Sequence, residues 1–307
     1  MNYGLSTYDA IVIDEASMIS FTTFAYIAGT LNKLQMRPLV IVAGDERQQQ
    51  SLESSSDRVR QVQSMLHNPD FNQVASKFRL TYQFRSVDPQ YLAFLDHIRY
   101  WQPSQALLDR TQEGRMLCHT GTVREDQLWT VLSDHPAATV MTVSRQAAAY
   151  DNMVVTTRLF RNSPPLSPIS CDSNLCTFLV YNSMRVFITQ NRDKTTGVVN
   201  GQEGTIIGSQ GNSVLLRLRD QSVVFVYPVT YQDSGGQNIT RYPLVPAYAV
   251  TICKLQGATV DTLLLWLDSE AVPAGMAYVG LSRVRRRDDL YLSQRIRCHQ
   301  VKPAELQ

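Results

Sequence analysis

Two short apolar runs open the chain, Ile11-Val12-Ile13 and Leu39-Val40-Ile41-Val42-Ala43, and both break at strongly polar residues. Brief runs rich in β-branched residues predict strands buried on both faces, as in a parallel sheet. Between them, residues from about Thr22 to Leu34 predict a helix, which completes a strand-helix-strand unit. Open sheets of this kind bind their ligands at the carboxyl ends of the strands. Here those ends carry Asp14-Glu15 and Gly44-Asp45-Glu46-Arg47-Gln48.

A second α/β region begins near Phe78, with a helix predicted from Tyr91 to Tyr100 and a strand from Thr139 to Val143. The cluster Ser163-Pro164-Pro165-Leu166-Ser167-Pro168 cannot be helix interior and predicts a linker. From about Thr177 to Tyr231 the apolar runs shorten: Phe178 to Val180, Arg185 to Thr189, Gly204 to Ile207, Val214 to Leu218 and Val223 to Val229. Turn signals at Asn200-Gly201, Gly211-Asn212 and Arg219-Asp220-Gln221 separate them, which predicts a small barrel. From Pro246 to Leu292 the helix-and-strand pattern resumes.

Adjacent carboxylates at a strand tip suit nucleoside-triphosphate hydrolysis, one holding Mg²⁺ through its water shell and the other activating water. The plain alternative is a solvated acidic turn. Further along come Leu80-Thr81-Tyr82-Gln83-Phe84-Arg85, Thr251-Ile252-Cys253-Lys254-Leu255-Gln256-Gly257 and Tyr278-Val279-Gly280-Leu281-Ser282-Arg283. Together with the two acidic tips, this ordered series resembles the superfamily 1 DNA helicases of the RecD/Pif type, from their second motif to their sixth, over nearly the whole chain. Ser51-Leu52-Glu53-Ser54 is also similar, over those four residues, to herpesvirus replicative helicases.

The resemblance implies an α/β fold: a P-loop NTPase (RecA-like) helicase core whose first RecA-like domain is incomplete. Its second RecA-like domain would carry an inserted SH3-like β-barrel, matched at the turn Asn200-Gly201-Gln202-Glu203-Gly204. The expected divisions are a partial first domain over 1–66, the second domain over 67–170, the barrel over 171–244 and the closing part of the second domain over 245–307.

The same resemblance implies ATP and Mg²⁺ as cofactors. Asp14 would hold the metal, Glu15 would activate water, and Gln48 beside Asp45 would read the γ-phosphate, although strand-tip polar residues are also ordinary turn formers. Gln49 and Gln50 depart from the family pattern there. Arg85 and Arg283 are the expected arginine fingers, because a planar guanidinium neutralises charge on a transferring phosphoryl group. For Arg283 the alternative is a cation at a helix C-terminus.

Thr251, Lys254, Gln256 and Gly257 fall on the family's T-x-H-K-x-Q-G motif, which links the ATP site to DNA. Lys254 also reads as a solvated helix face and Gly257 as a helix terminus. Cys253 replaces the motif's histidine, and a thiol is a weak hydrogen-bonding group. Single-stranded DNA or a DNA fork is the expected partner. Arg99, Tyr100 and Trp101, Thr142 with Asn152, Thr251, and Asn191, Arg192 and Lys194 of the barrel are the candidates to meet it, with core packing the alternative for the aromatic ones.

Composition narrows the rest. The chain has 29 Lys+Arg against 27 Asp+Glu, a formal net charge of +2, too even for bulk charge to establish nucleic-acid binding. Its basic residues are 24 Arg and only five Lys; this suits phosphate recognition, and genomic composition bias explains it equally well. Five cysteines without a C-x-x-C pair do not predict a zinc site and are read as reduced thiols. No run is long enough for a membrane span and no signal-peptide pattern occurs, so an intracellular place is expected, nuclear (the host's nucleus if viral) or cytoplasmic in a prokaryote.

No Gly-Lys dipeptide occurs. The family's G-x-x-x-x-G-K-[ST] loop, which cradles the triphosphate, is therefore expected to be missing and these residues alone to be inactive as an ATPase. The expected function is the C-terminal portion of a 5′-to-3′ ATP-dependent DNA helicase in replication, repair or recombination, partnered by a separate loop-bearing segment or by replication proteins. A non-hydrolysing DNA-binding or scaffold protein derived from a helicase is the alternative, and a split or truncated gene is a third reading.

Overall fold

The first two apolar runs form β1 (Ala10–Ile13) and β2 (Leu39–Val42), paired in parallel with Ala10 opposite Leu39 and Ile13 opposite Val42. The helix between them, α1 (Phe21–Leu31), starts where the Ser20 hydroxyl accepts from the Thr23 N–H. This structure, a computed structural model, describes residues 8–34, 38–49, 51–55, 58–62, 64–117, 123–171, 175–191, 198–232 and 235–304, with the backbone alone for 52–55 and 58–61. Strands β3 (Leu52–Ser55) and β4 (Arg58–Gln61) form an antiparallel pair, and a short helix α2 (Pro69–Val74) follows.

Residues 75–88 carry no helix or strand before α3 (Pro89–Tyr100). Pro89 occupies the first turn, where its missing N–H costs nothing, and the Asp88 carboxylate accepts from the Gln90 and Tyr91 N–H groups. Next come α4 (Gln105–Gln112), α5 (Arg124–Asp134), β5 (Thr139–Thr142) and α6 (Arg145–Leu159). The predicted linker is shorter than its proline cluster. Ser167 and Pro168 already belong to β6 (Ser167–Ser170), which among the described residues forms a two-stranded ladder with β7 (Leu179–Val180), an edge setting that tolerates proline.

The β-rich region holds β8 (Arg185–Ile188), β9 (Glu203–Gln210), β10 (Ser213–Leu218), β11 (Val223–Val226), β12 (Val229–Gln232), β13 (Asn238–Arg241) and β14 (Leu244–Pro246). Five of them form one antiparallel sheet in the order β11-β10-β9-β8-β14, while β12 and β13 pair separately. Among the described residues that ladder ends at β11 and β14, so its hydrogen bonds do not close it into a barrel. The single strand expected from Val223 to Val229 is two, because Pro228 has no N–H to continue a ladder. The predicted turns are present: Gly201 and Gly211 adopt φ of 86° and 58°, the left-handed region glycine enters freely.

The chain then returns through β15 (Ala249–Thr251), β16 (Leu263–Trp266), α7 (Met276–Leu281) and β17 (Leu290–Leu292). These strands and β5 make a second parallel sheet, in the order β15-β5-β16-β17. Its side chains alternate between two cores. Val140, Ala249 and Leu264 join Leu128 and Val131 of α5, Val155 of α6 and the inward residues of the antiparallel sheet. Met141, Val250, Leu263 and Leu265 join Tyr91, Leu95 and Ile98 of α3 with Ala277 and Val279 of α7. Among the described residues no helix is long and apolar enough to cross a membrane.

Candidate functional site

The tips of β1 and β2 meet the second parallel sheet, and most of the predicted site residues lie at that junction. Gly44 permits the two tips to approach, since a Cβ there would lie 3.0 Å from the Ala16 nitrogen. Glu15 takes a left-handed backbone conformation, φ 52° and ψ 41°, and its N–H donates to Asp14 Oδ1 at 2.8 Å. Its carboxylate turns across the junction, where Gln256 Nε2 donates to Glu15 Oε2 at 2.9 Å and to Ser17 Oγ at 3.2 Å. Gly257, at φ 81°, leaves room for this contact: a Cβ at 257 would stand 2.6 Å from Glu15 Oε1.

The second tip is held in the same way. Asp45 Oδ1 accepts from Arg99 Nη2 at 2.7 Å and from the Arg47 N–H at 3.0 Å, while Asp45 Oδ2 accepts from Gln48 Nε2 at 3.2 Å. Arg47 reaches the Ala304 carbonyl at 3.2 Å. Gly275, at φ 77°, lies so near the Gln48 backbone that a Cβ would come within 2.8 Å of it.

Arg85 and Arg283 lie side by side behind this junction. Arg85 donates to Thr259 Oγ1 at 3.0 Å, to the Gly257 carbonyl at 3.0 Å and to the Ser282 carbonyl at 3.3 Å. Arg283 is fully buried and donates to the carbonyls of Val279 at 2.8 Å and Ala258 at 3.2 Å and to Ser282 Oγ at 2.7 Å. Burial, and next the neighbouring Arg85 charge, push the Arg283 guanidinium down to about 10. Burial lowers Arg85 as well. Neither guanidinium makes an ion pair among the described residues, so this paired charge favours an incoming oxyanion.

The buried amides specify the complementary groups. A carboxylate only accepts, so Gln48 must turn its nitrogen to Asp45 and Gln256 its nitrogen to Glu15. That leaves Gln48 Oε1 and Gln256 Oε1 buried without a partner. Orphaned acceptors call for a donor such as a water molecule or the water shell of a cation. The described residues contain no cluster of three or more metal-ligating side chains. Mg²⁺ needs none, since one carboxylate, water and substrate phosphate suffice, so Asp14 fits as its protein ligand.

Several expected DNA contacts are spent elsewhere. Arg99 is engaged by Asp45, and its ring neighbour Tyr100 is shared with Arg47, whose guanidinium carbon lies 5.2 Å from the ring centroid. Thr142 is buried and donates to the Ser144 carbonyl at 2.9 Å. Asn152 is buried too; its amide accepts from the Tyr248 and Ala249 N–H groups and donates to the Ala249 carbonyl, which pins β15 to α6. The buried Thr142 and Asn152, with their polar atoms used in this way, offer nothing to a phosphate. Trp101 remains exposed.

Thr251 is half-buried at the end of β15, and Lys254 sits 5.5 Å from the Phe187 ring centroid with its ammonium pushed down by burial. Asn191 Oδ1 accepts from the Asn200 N–H at 2.9 Å, whereas Arg192 and Lys194 lie outside the described residues. Sequence reasoning missed Ser17, Gly275 and the contact from Cys253 Sγ to Gln49 Oε1 at 3.1 Å. That contact joins two of the positions that depart from the helicase motifs, and burial pushes the Cys253 thiol up. Two departures from one pattern were the available signal.

No family model matches the chain. Among curated proteins it is similar to the ATP-dependent DNA helicase PIF1 of mouse, 26% identical over 300 residues, and of human, 24% over 291 residues; each match covers 90% of this chain and 44% of the relative. The ATP-dependent DNA helicase Pif1 of Bdellovibrio bacteriovorus is 37% identical over 114 residues, 35% of this chain and 25% of that protein. The chain thus spans less than half the length of the curated relatives it matches. Among solved structures it is similar in fold to Bacteroides Pif1 bound to ssDNA, with a TM-score of 0.72 at 19% identity over 96% of this chain and 72% of that one. A structure of two coordinating Pif1 helicases at forked dsDNA gives a TM-score of 0.69 at 20% identity, covering 96% and 71%.

Proposed function

As a homologue of the Pif1-type superfamily 1 helicases, this chain is, we propose, the C-terminal portion of an ATP-driven DNA helicase core. The observation that carries the reading is the meeting of Glu15, Gln48, Arg85, Gln256 and Gly257 at one junction of two parallel sheets. Residues 1–66 serve as part of the first RecA-like domain, 67–170 and 245–307 as the second, and 171–244 as an SH3-like insertion. The change from parallel to antiparallel strands supports that division.

ATP with Mg²⁺ supplies the phosphoryl group and a cation that offsets its charge. Asp14 would hold the cation, and Glu15 would accept a proton from water at its carboxylate. Gln48 Oε1 and Gln256 Oε1, each buried without a partner, are acceptors open to such donors. Arg85 and Arg283 present guanidiniums to the developing negative charge, Arg283 after leaving the carbonyls that hold it here. Single-stranded DNA or a fork is the track, Trp101 and Thr251 contact it, and replication or repair of DNA inside the cell is the setting.

The test joins these residues to a segment bearing a phosphate loop and measures phosphate release with and without single-stranded DNA. The expected result is DNA-stimulated hydrolysis that Glu15→Gln abolishes while nucleotide binding persists. Arg85→Ala should lower turnover by about 10³-fold or more with little change in nucleotide affinity. Hydrolysis that ignores both substitutions overturns the site, and no hydrolysis in any form leaves a non-hydrolysing DNA-binding protein.

A further inference from the structure

A cavity of about 500 Å³ separates the start of β9 and the end of β10 from the residues that lead into β5 and β16. Arg185 of β8 ties its two walls together: it donates to the Pro136 and Ala138 carbonyls at 3.3 and 3.1 Å on one side and to Glu203 Oε1 at 2.9 Å on the other. Both walls are thus anchored to one guanidinium.

The polar groups of the lining are unevenly matched. Glu203 spends Oε1 on Arg185 and Oε2 on Arg219, whose Nη2 lies 2.8 Å away. Arg217 is exposed and makes no hydrogen bond or ion pair among the described residues, and the Thr139 and Thr205 hydroxyls have no partner there either. Thr259 Oγ1 accepts from Arg85 Nε at 3.0 Å, which leaves its own proton to be donated elsewhere. The other carboxylate of the lining, Asp261, is exposed and pairs with none of these guanidiniums. Three guanidiniums therefore share the cavity with two carboxylates, and the surplus is of positive charge and of hydrogen-bond donors.

A surplus of donors selects a group that only accepts. A phosphate ester carries two negative charges near neutral pH and three strong acceptor oxygens, which match a guanidinium fork and neighbouring hydroxyls. The volume falls within the range of small-molecule sites, about 300 to 1,000 Å³. Ala137, Leu218 and Val260 give the lining an apolar part, against which a small organic group can lie. In the turn after β10 another lining residue, Gln221, is held in the left-handed region at φ 68°. Backbone strain of this kind collects at ligand sites.

We propose that this cavity binds a small phosphomonoester, its phosphate on Arg217, Arg219 and the hydroxyls of Thr205 and Thr259 and its organic group along Ala137 and Val260. Thr259 donates to the ligand while it accepts from Arg85, which joins this site to the junction of the two parallel sheets. The proposal uses no step of hydrolysis and does not rest on the helicase reading.

The test is isothermal titration calorimetry of the whole 307-residue chain with ribose 5-phosphate and glycerol 3-phosphate, and with ribose and inorganic phosphate as the two halves. At least one ester should bind, and ribose should not. Arg217→Ala should weaken the ester by about tenfold or more, the loss expected for a hydrogen bond to a charged group. Arg297→Ala removes the same charge beside Glu270, outside the cavity, and should leave binding unchanged. Hydrogen exchange with the ester bound should slow at residues 137–139, 203–205, 217–221 and 259–261. Circular dichroism establishes that each variant is folded; if Arg217→Ala is not, Arg217→Gln and the exchange pattern carry the test. Binding of neither ester, binding that survives the loss of Arg217, or protection confined to the β1 and β2 tips overturns the site. Inorganic phosphate bound as tightly as the esters overturns the organic half of the assignment. Displacement of the ester by oligothymidylate at equal phosphate concentration gives Arg217 to a nucleic-acid backbone and overturns the proposal.

Discussion

The two parallel sheets are written in similar residues and are packed differently. Ile11-Val12-Ile13, ending at Asp14, and Leu263-Leu264-Leu265, running on through Trp266 and Leu267 to Asp268, are equally apolar runs, yet Val12 is 65% exposed and Leu264 is fully buried. In the second sheet α5 and α6 cover one face and α3 and α7 the other. In the first, α1 contributes no buried residue and the described strands number two. What orders the first sheet is its tips, held by Gln256, Arg99 and Cys253 from the other side of the junction. An apolar run fixes how a strand forms, whereas its burial depends on what stands next to it.

The largest test of this contrast strikes the helices that cover the second sheet. Arg124 of α5 grips the fully buried carboxylate of Asp151 on α6, with its Nε 2.9 Å from Oδ1, and also stacks on Trp266 of β16. Asp151→Ala leaves that guanidinium uncompensated and should cost about 3 to 5 kcal/mol in urea unfolding. A loss below about 1 kcal/mol would mean that this pair does not fasten the cover. Leu264→Ala, at the centre of the same sheet, should cost about 2 to 5 kcal/mol by opening a cavity. The contrast breaks if the loss is no greater than that of Val12→Ala in the first sheet, for which about 0.5 kcal/mol or less is expected.

Between these extremes lies the junction. Gly275→Ala drives a methyl group into the Gln48 backbone and imposes a side chain at positive φ, so a cost of about 1 to 3 kcal/mol is expected. Hydrogen exchange should rise at the β1 and β2 tips and not in β5 or β16. Uniform exchange across both sheets would show that the tips are ordered by something other than this docking. The smallest effect is expected for Cys253→Ser: a hydroxyl keeps the bond to Gln49, and the melting temperature should move by no more than a few degrees.

Much of this arrangement was legible in the residues because local rules govern it. The β-branched runs, the turn glycines at 201 and 211 and the proline that opens α3 each act within a few positions. The long-range part was not legible. Nothing in the spacing of Asn152 or Thr142 distinguishes a strand-tip ligand from a side chain that closes its own backbone, because the partners of Asn152 lie about a hundred positions away in the chain. Arg99 was recognisable as a cation with a purpose, and its partner Asp45 was recognisable as an acid at a tip. Their meeting depends on tertiary packing. The break at Tyr227-Pro228 was a missed local signal, since proline alone predicts that a ladder stops there.

Glu15 has a consequence for how such a protein drifts under mutation. A non-glycine residue in the left-handed region costs about 1 to 3 kcal/mol, so selection for stability by itself would move position 15 toward glycine or asparagine. The bond from Gln256 Nε2 to Glu15 Oε2 opposes that drift, because it holds the β1 tip at the junction. Position 15 therefore balances local backbone strain against a long-range contact, and Glu15→Gly should relieve the first while loosening the β1 tip.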